Sequence, residues 1–260
     1  SFCTLRSGTT LGNVFGKNGR NGKRIVIDSG KHYGMTLNQV QESLPLIAFA
    51  STVEFSRLFP SIETLGSSAV LLPNAKAYVA VLGVGLLEFS TNLSAILAKQ
   101  KFSMVLQVGI GGAFKNRGIS IGDVVCIDTE YVGDLGVEDK DGSFLPWARI
   151  GGGSPQLYSG ASLENAPKWL QALKRASGIT VNCCTGTEEL AEIRQLLFDA
   201  DVESMEGAAG FAVCKAFDVP CYEIRAISNY VSTRKKSLWK ISEALLALKN
   251  VLQQAGFLCA

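Results

Sequence analysis

From residue 44 onwards, short apolar runs alternate with segments whose apolar residues recur at helical spacing. This alternation of strand-like and helix-like periods is typical of an α/β sheet. Several of the runs are apolar on both faces, as central strands covered by helices are. The pattern predicts seven strands, at Leu44–Ser51, Ala69–Leu72, Ala77–Gly83, Ser103–Val108, Asp123–Glu130, Ile179–Cys184 and Pro220–Ile227.

The second and third of these runs are separated by a short segment around Pro73 and Asn74, residues that favour a turn. We therefore expect an antiparallel hairpin there, within a sheet that is otherwise mainly parallel. The predicted fold class is α/β, with three layers: a mixed, mostly parallel central sheet flanked by helices.

Four helices are predicted between and after the strands. Three have apolar stripes that we expect to face the core. A fourth, from Glu206 to Phe217, is rich in alanine and glycine, so that a neighbouring backbone could approach closely, and it ends before Pro220. The three stripes are Leu86, Leu93, Ile96 and Leu97; Leu190, Ile193, Leu196 and Leu197; and Leu238, Ile241, Leu245, Leu248 and Leu252.

Composition excludes several classes of protein. The chain has 260 residues, 47% apolar, with 25 basic and 23 acidic side chains, a net charge of only +2. A near-neutral charge does not favour nucleic acid as a partner. No run reaches the length of a membrane span, and the first twenty residues lack the layout of a signal peptide. We expect a soluble, cytoplasmic protein without a membrane partner.

The first 43 residues differ in character from the rest. They carry a net charge of +4, contain the basic, glycine-rich string KNGRNGKR, and include one strand-like run, RIVID at 24–28. Short basic runs of this kind are usually just solvated. We interpret 1–43 as an extension without an assigned role, and 44–260 as a single domain.

Histidine and cysteine usage restricts the chemistry. The only histidine is His32, far from any other candidate residue, so mechanisms that need a histidine base or two histidine ligands are not supported. The seven cysteines show no C-x-x-C spacing and lie mostly in apolar runs, which favours reduced, structural thiols over a metal site. Catalysis would then depend on carboxylates, amides and backbone donors.

The string VLQVGIGGAF at 105–114 is an apolar strand that runs into glycines. Exposed backbone N–H groups at Gly111 and Gly112 could meet an anion or a hydroxyl-rich ligand. A dinucleotide-binding interpretation fails, because Phe114 breaks the third glycine position and the following link lacks a crossover helix. We expect a glycine turn that forms a ligand-binding edge.

Two further strings place acids beside apolar segments. In DVESMEGAAG at 201–210, Glu203 and Glu206 precede a helix of small residues, and the simplest interpretation is that acids favour a helix N-terminus. A buried Glu206 would instead suit the two hydroxyls of a ribose. Glu54 follows the first core strand among apolar neighbours, where it is either exposed or a buried general acid/base.

In the last string, IRAISNYVSTRKKSLWKI at 224–241, Ser228 and Asn229 lie at the end of a predicted buried strand. Open α/β sheets bind ligands at that end of their strands. An asparagine offers both a donor and an acceptor for the edge of a heterocycle, although a strand-ending turn residue is the simpler interpretation.

Taken together, these strings resemble the nucleoside phosphorylase and nucleosidase superfamily, and within it the futalosine hydrolase branch. The resemblance spans roughly residues 44–260. Its specific part is the order of DLGVEDKDG, ESMEGAA and RAISN. The matching stretches are VGIGGAF, IGDVVCIDTEYVGDLGVEDKDGSF, VNCCTGTEE, ESMEGAA, and RAISNYVSTR with the following Trp239, Lys240 and Ile241.

The resemblance implies a homodimeric enzyme, without metal or organic cofactor, that releases hypoxanthine from the purine nucleoside futalosine on a menaquinone route. By position, Glu54 corresponds to the carboxylate that activates water. Met205 and Glu206 correspond to the pair that binds the ribose, and Asn229, with Ser228, to the partner of purine N7.

Asn229 stands where adenine-releasing relatives, the methylthioadenosine/adenosylhomocysteine nucleosidases, have Asp. An amide can donate to N7 and O6 of a 6-oxopurine, whereas the amino group of adenine prefers an acceptor. Hypoxanthine is therefore favoured over adenine. We expect Glu188 or Glu189 to accept the N1–H of hypoxanthine, with Leu190 beside them in the substrate site.

Hydrolysis is favoured over phosphorolysis, because Gln107 occupies the place where related phosphorylases carry a phosphate-binding arginine. A neutral amide is a poor substitute for a guanidinium on a dianion. Three alternatives stay open: an adenine-releasing nucleosidase acting on aminodeoxyfutalosine, methylthioadenosine or adenosylhomocysteine; a phosphorylase; and a catalytically silent nucleoside-binding protein.

Overall fold

The computed structural model describes residues 43–63, 68–150 and 157–258. The basic extension, with its strand-like run at 24–28 and His32, lies outside these residues. Over the described part of the chain the structure has eleven strands and seven helices.

The strands are β1 Leu46–Phe49, β2 Val70–Leu71, β3 Tyr78–Val81, β4 Val105–Ala113, β5 Val124–Val132, β6 Gly136–Glu138, β7 Phe144–Pro146, β8 Leu157–Ser159, β9 Lys174–Thr180, β10 Val202–Ser204 and β11 Cys221–Tyr230. The helices are α1 Thr52–Leu58, α2 Leu86–Leu97, α3 Trp147–Ile150, α4 Lys168–Gln171, α5 Glu188–Phe198, α6 Gly207–Ala216 and α7 Ile241–Gln254.

The main sheet has the order β10-β9-β5-β11-β4-β1-β3-β2, and β8 pairs with β5. Strand β1 runs parallel to both β3 and β4, and β4 runs parallel to β11. Strand β5 is antiparallel to β11, and β2 and β3 form the predicted antiparallel hairpin. Because β10 pairs with β4 as well as β9, the strands β4, β11, β5, β9 and β10 close into a ring. The predicted mixed sheet is confirmed.

The core lies on both faces of the sheet, and β1 shows how. Its four residues are fully buried, and successive side chains point to opposite faces. Ile47 and Phe49 belong to a cluster that includes residues of α1 and α7, whereas Leu46 and Ala48 belong to one that includes residues of α2 and α6. The helices therefore form the outer two of three layers, as the sequence predicts.

The structure corrects the predicted bounds of two strands. The strand predicted to end at Val108 continues through the glycines to Ala113, because β4 is paired along its whole length with β11. The strand predicted at 179–184 lies earlier, at β9, since Lys174 to Thr180 pair with β5. The glycine turn expected after residue 108 is thus wrong.

Helix α5 buries a different face from the one predicted. Its buried residues are Ala191 and Arg194, while Ile193 and Leu196 are 47% and 83% exposed. The reason is that Arg194 turns inwards to a buried carboxylate. Leu238 also falls outside the C-terminal helix, in a short 3-10 turn, and is 63% exposed.

The structure describes five of the seven cysteines and every helix that could be examined as a membrane span. Cys126, Cys214 and Cys221 are buried and unpaired, and Cys183 and Cys184 are exposed and unpaired. In the described ranges, no helix has the length and apolar content needed to cross a bilayer.

The packing of α7 makes a testable prediction. Leu248 is fully buried against the sheet, whereas Leu246 on the same helix is 59% exposed. We expect Leu248→Ala to lower the free energy of unfolding by about 2–5 kcal/mol, because it removes packed methyl groups and leaves a cavity. Leu246→Ala should change it by no more than about 0.5 kcal/mol. Urea unfolding of both variants measures the difference, and equal losses would contradict this account of the core.

Candidate active site

Three strand ends meet at one edge of the sheet. Because β1, β4 and β11 run parallel, their carboxyl ends lie side by side, where ligands bind in open α/β sheets. A cavity of about 310 Å³ opens at this edge, between the end of β1, the glycine-rich half of β4, the end of β11 and the start of α6.

Glu54 is held by the helix that it starts. Ser51 is the N-cap of α1, and Ser51 and Glu54 form a reciprocal capping box. The Ser51 hydroxyl donates to Glu54 Oε2 at 2.7 Å, and the backbone N–H of Ile110 donates to Oε1 at 2.9 Å. Glu54 is 7% exposed and lines the cavity, so its side chain is buried rather than exposed to solvent.

The glycines of β4 make room for charged groups. A Cβ on Gly109 would lie 2.8 Å from Glu54 Oε1 and 2.9 Å from Arg225 Nη1, closer than real Cβ contacts occur. Gly111 and Gly112, predicted to form the ligand edge, both line the cavity. The glycines therefore let the side chains of Glu54 and Arg225 lie close to the backbone of β4 without interrupting the strand.

Glu206 is the N-cap residue of α6, but its side chain does not cap the helix. Its Oε1 accepts the backbone N–H of Gly85 at 3.1 Å, and its Oε2 accepts Arg225 Nη1 at 3.3 Å. Burial raises the pKa of Glu206, and the positive charge of Arg225 opposes this effect. The carboxylate lines the cavity, next to Met205.

Arg225 lies beneath the cavity, 2% exposed, on β11. Its Nε donates to Glu223 at 2.6 Å and its Nη1 donates to Glu206, so one guanidinium joins two buried carboxylates. The two acids hold the pKa of Arg225 above its usual value against the effect of burial. The guanidinium is therefore a permanent charge next to Glu206.

Ser228 and Asn229 both line the cavity although they are neighbours on one strand. Side chains that follow each other on a regular strand point to opposite faces. The register between β11 and β4 shifts between Ile227 and Asn229, which is a β-bulge. The Ser228 hydroxyl lies 2.7 Å from Asn229 Oδ1, and donation there leaves the NH₂ of Asn229 as the donor. One of its hydrogens goes to Tyr230 O at 3.0 Å, and the second can be given to a ligand.

A second buried ion pair supports the opposite wall. Glu203 accepts the N–H and hydroxyl of Thr185, and it pairs with Arg194 at 2.9 Å. Arg194 also donates to the Thr185 hydroxyl at 2.8 Å. Glu203 and Thr185 line the cavity, so this pair fixes the loop between β9 and α5 against it.

Two of the predicted site residues do not reach the cavity. Glu189 lies exposed in the first turn of α5, and the N–H of Leu190 caps onto Thr187 Oγ1 at 3.1 Å. Neither lines the cavity, whose wall at this point is formed by Cys184 and Thr185 instead. The adjacent Glu188 pairs with Lys115 at 2.8 Å. The structure thus places the acids of α5 away from the site.

Gln107 also lies outside the cavity wall. It is 1% exposed, and its Nε2 donates to Gly207 O and to Glu223 Oε2, both at 2.9 Å. The amide therefore supports the start of α6 from below.

Sequence reasoning missed several residues of the wall, chiefly Ser51, Glu203, Arg225, Arg234 and Trp239. The capping box is legible as Ser-x-x-Glu at 51–54, and Arg225 as a charge within an apolar strand. Arg234 and Trp239 lie in the last stretch that carries the resemblance, but no local pattern marks them as site residues. Their contact, with the guanidinium carbon 5.7 Å from the ring centre, joins two turns of an irregular segment.

Proteins of similar sequence include two futalosine hydrolases. A futalosine hydrolase of Streptomyces coelicolor is 34% identical over 152 residues, which are 58% of this chain and 64% of that protein. This chain therefore spans slightly less than two thirds of the length of that relative. A futalosine hydrolase of Acidothermus cellulolyticus is 30% identical over 200 residues, 73% of this chain and 79% of that protein.

The fold has counterparts among solved structures. A 5′-methylthioadenosine/S-adenosylhomocysteine nucleosidase from Helicobacter pylori superposes with a TM-score of 0.68 at 19% identity, covering 82% of this chain and 97% of that one. The family described as the phosphorylase superfamily matches residues 68–256. By that match, which spans well over half of its length, the chain belongs to the phosphorylase superfamily.

Proposed function

We propose that this protein hydrolyses the N-glycosidic bond of a purine nucleoside, and that its substrate is futalosine, which yields hypoxanthine and dehypoxanthine futalosine in menaquinone biosynthesis. The observation that carries the proposal is the convergence of Glu54, Glu206 and Asn229, from three distant stretches of chain, on one cavity. The identity with proteins named futalosine hydrolase supports this choice of substrate.

The three groups match the needs of the reaction. As the bond from C1′ to N9 breaks, its electron pair goes to the purine and the sugar becomes an oxocarbenium-like cation. A water oxygen then bonds to C1′ and gives one proton to Glu54, whose two oxygens retain lone pairs beyond the hydrogen bonds that they accept. Glu206, held by Arg225, accepts from the ribose hydroxyls.

Asn229 assists departure of the base by a hydrogen bond. A carboxamide donates a hydrogen bond to N7 but gives up no proton. The purine therefore leaves as an anion that takes its proton from solvent, and a 6-oxopurine spreads that charge onto O6. When the Ser228 hydroxyl donates to Asn229 Oδ1, the amide offers its NH₂ group to a ligand as a donor, which favours hypoxanthine over adenine.

The cavity is better suited to water than to phosphate as the nucleophile. Of the two arginines in its wall, Arg225 is already engaged by Glu223 and Glu206. Glu54 also lines the wall, and its negative charge would repel a phosphate dianion.

We also propose that the enzyme is a homodimer. A surface cavity of about 340 Å³ has a mixed lining, in which Leu86, Leu135 and the alanines of α6 are apolar and Asp134 and Asn182 are polar. Leu87 on the adjoining helix α2 is 79% exposed. Water-exposed apolar surface of this kind is typical of contacts between subunits.

The dimer proposal is tested by Leu87→Glu, which should yield monomers in analytical ultracentrifugation because it places a charge in the apolar contact. Leu246→Glu, on α7 and 59% exposed, is the matched control and should leave the mass unchanged. A wild-type monomer at micromolar concentration would count against the proposal.

Incubation with futalosine and with its 6-amino analogue, each with and without phosphate, tests the function itself. We expect hypoxanthine from futalosine at a rate independent of phosphate, because water is the nucleophile, and slower release of adenine. Chromatography identifies the free base. Preferential release of adenine would select the adenine-releasing alternative, and a phosphate requirement would indicate a phosphorylase. Tight purine binding without base release would favour the silent binding protein.

The roles of Glu54 and Asn229 lead to a mutational prediction. Glu54→Gln and Asn229→Ala should each lower kcat by about 10²–10⁴-fold, the contribution of a general acid/base or equivalent hydrogen bond. Glu192→Gln, on an exposed position of α5, is the control and should retain wild-type turnover. Near-normal turnover of futalosine in either site variant, with circular dichroism unchanged, would contradict these roles.

A further inference from the structure

Beneath the cavity lies a set of buried polar side chains that the proposed mechanism does not use. Glu130 and Glu223 are both fully buried, on the neighbouring antiparallel strands β5 and β11. With Glu206 they make three carboxyl groups around one guanidinium, that of Arg225. Three buried negative charges against one positive charge would be strongly unfavourable. One of the carboxyl groups must therefore be neutral.

The hydrogen bonds indicate which group carries the proton. Glu223 accepts Arg225 Nε at 2.6 Å and Gln107 Nε2 at 2.9 Å, as expected of an ionised carboxylate. Glu130 accepts only the Thr180 hydroxyl, at 2.9 Å on Oε2. Its Oε1 is buried and has no hydrogen-bond partner among the described residues.

Two glycines leave the space in which the carboxyl groups of Glu130 and Glu223 lie. A Cβ on Gly207 would overlap Glu130 Oε1 and would lie 2.6 Å from Glu223 Oε2, and a Cβ on Gly178 would also overlap Glu130 Oε1. The unpartnered oxygen and the Glu223 carboxylate thus face the same glycine. A proton on Oε1 converts an unsatisfied acceptor into a donor directed at Glu223.

We propose that Glu130 is a protonated positioning residue, whose carboxyl group donates to Glu223 and thereby fixes Arg225 and, through it, the sugar-binding Glu206. Burial, followed by the charge of Glu223, raises the pKa of Glu130 well above its usual value. Burial raises the pKa of Glu223, and the charge of Arg225 and a hydrogen bond from Glu130 oppose this effect. The proposal rests on the proposed function only for its effect on turnover.

The first test compares two substitutions of Glu130. Glu130→Gln keeps a hydrogen-bond donor and should retain wild-type turnover of futalosine. Glu130→Leu removes the donor, and we expect it to lower kcat/KM by about 100-fold, the cost of displacing a site by about 1 Å. If the two variants lose turnover equally, the donor role is wrong.

The second test requires no activity. A glutamic acid with a raised pKa in the folded state binds its proton more tightly there than in the unfolded chain, where its pKa is about 4.3. Stability from this group is therefore present below that pH and is lost as the pH rises towards the folded-state pKa. Relative to Glu130→Gln, the wild type should lose free energy of unfolding as the pH rises from about 5 to 8.

The polar and charged groups that face Glu130 are the same in the wild type and in Glu130→Gln, so their own effects on stability largely cancel in this comparison. These groups are Thr180 on β9, Glu223 and Arg225 on β11, and Glu206 at the start of α6. Infrared spectroscopy at neutral pH gives an independent readout, the C=O stretch of a protonated carboxyl group, which should vanish in Glu130→Gln. A stability difference that does not change with pH, or a band that persists in the variant, would overturn the proposal. Failure of the proposed function would instead appear as absence of base release by the wild type, with both of these signals intact.

Discussion

The structure depends on the burial of one guanidinium between two carboxylates. Arg225 is almost inaccessible, and it joins Glu223 in the sheet to Glu206 at the start of α6. Burying such charges is unfavourable unless each is paired and hydrogen-bonded, and removal of one partner of a buried pair costs about 3–5 kcal/mol. Two further donors help to satisfy this condition: the side chain of Gln107 on β4 donates to Glu223, and the backbone N–H of Gly85 donates to Glu206. The carboxylate of Glu206, which lines the cavity, is therefore oriented chiefly from the interior of the sheet, through Arg225.

Absent side chains matter as much as present ones around this charge. Two positions next to the buried charged groups are glycines, Gly109 on β4 and Gly207 on α6. A Cβ at either position would overlap a charged side chain. A strand interior with glycine loses packing and backbone order relative to other residues. Pairing of β4 with β1, β10 and β11 compensates, since the strand is enclosed along its length. Its continuity through the glycines follows from these neighbours.

Much of the fold could be predicted from the sequence, because long apolar runs such as β1 and β11 signal buried strands directly. The three residues of β10 could not, since their pairing depends on where β4 and β9 bring them. Glu54, Glu206 and Asn229 were singled out from their local sequence patterns, and the resemblance to a family supplied their expected roles. The charges of Glu130, Glu223 and Arg225 were visible within apolar strands, but their partnership depends on the register between strands that are distant in sequence. Glu189 was misplaced because helical phase alone does not tell which side of α5 faces a ligand.

The irregularity at Ser228 limits how this site could be transferred to another protein. Two adjacent side chains serve the same cavity only because the backbone of β11 gains one residue relative to β4 at that point. Grafting the Ser-Asn dipeptide onto a regular strand would send one of the two into the opposite layer. Asn229 therefore shares the cavity with Ser228 only along this particular main-chain path, which a strand of regular pleat would not reproduce.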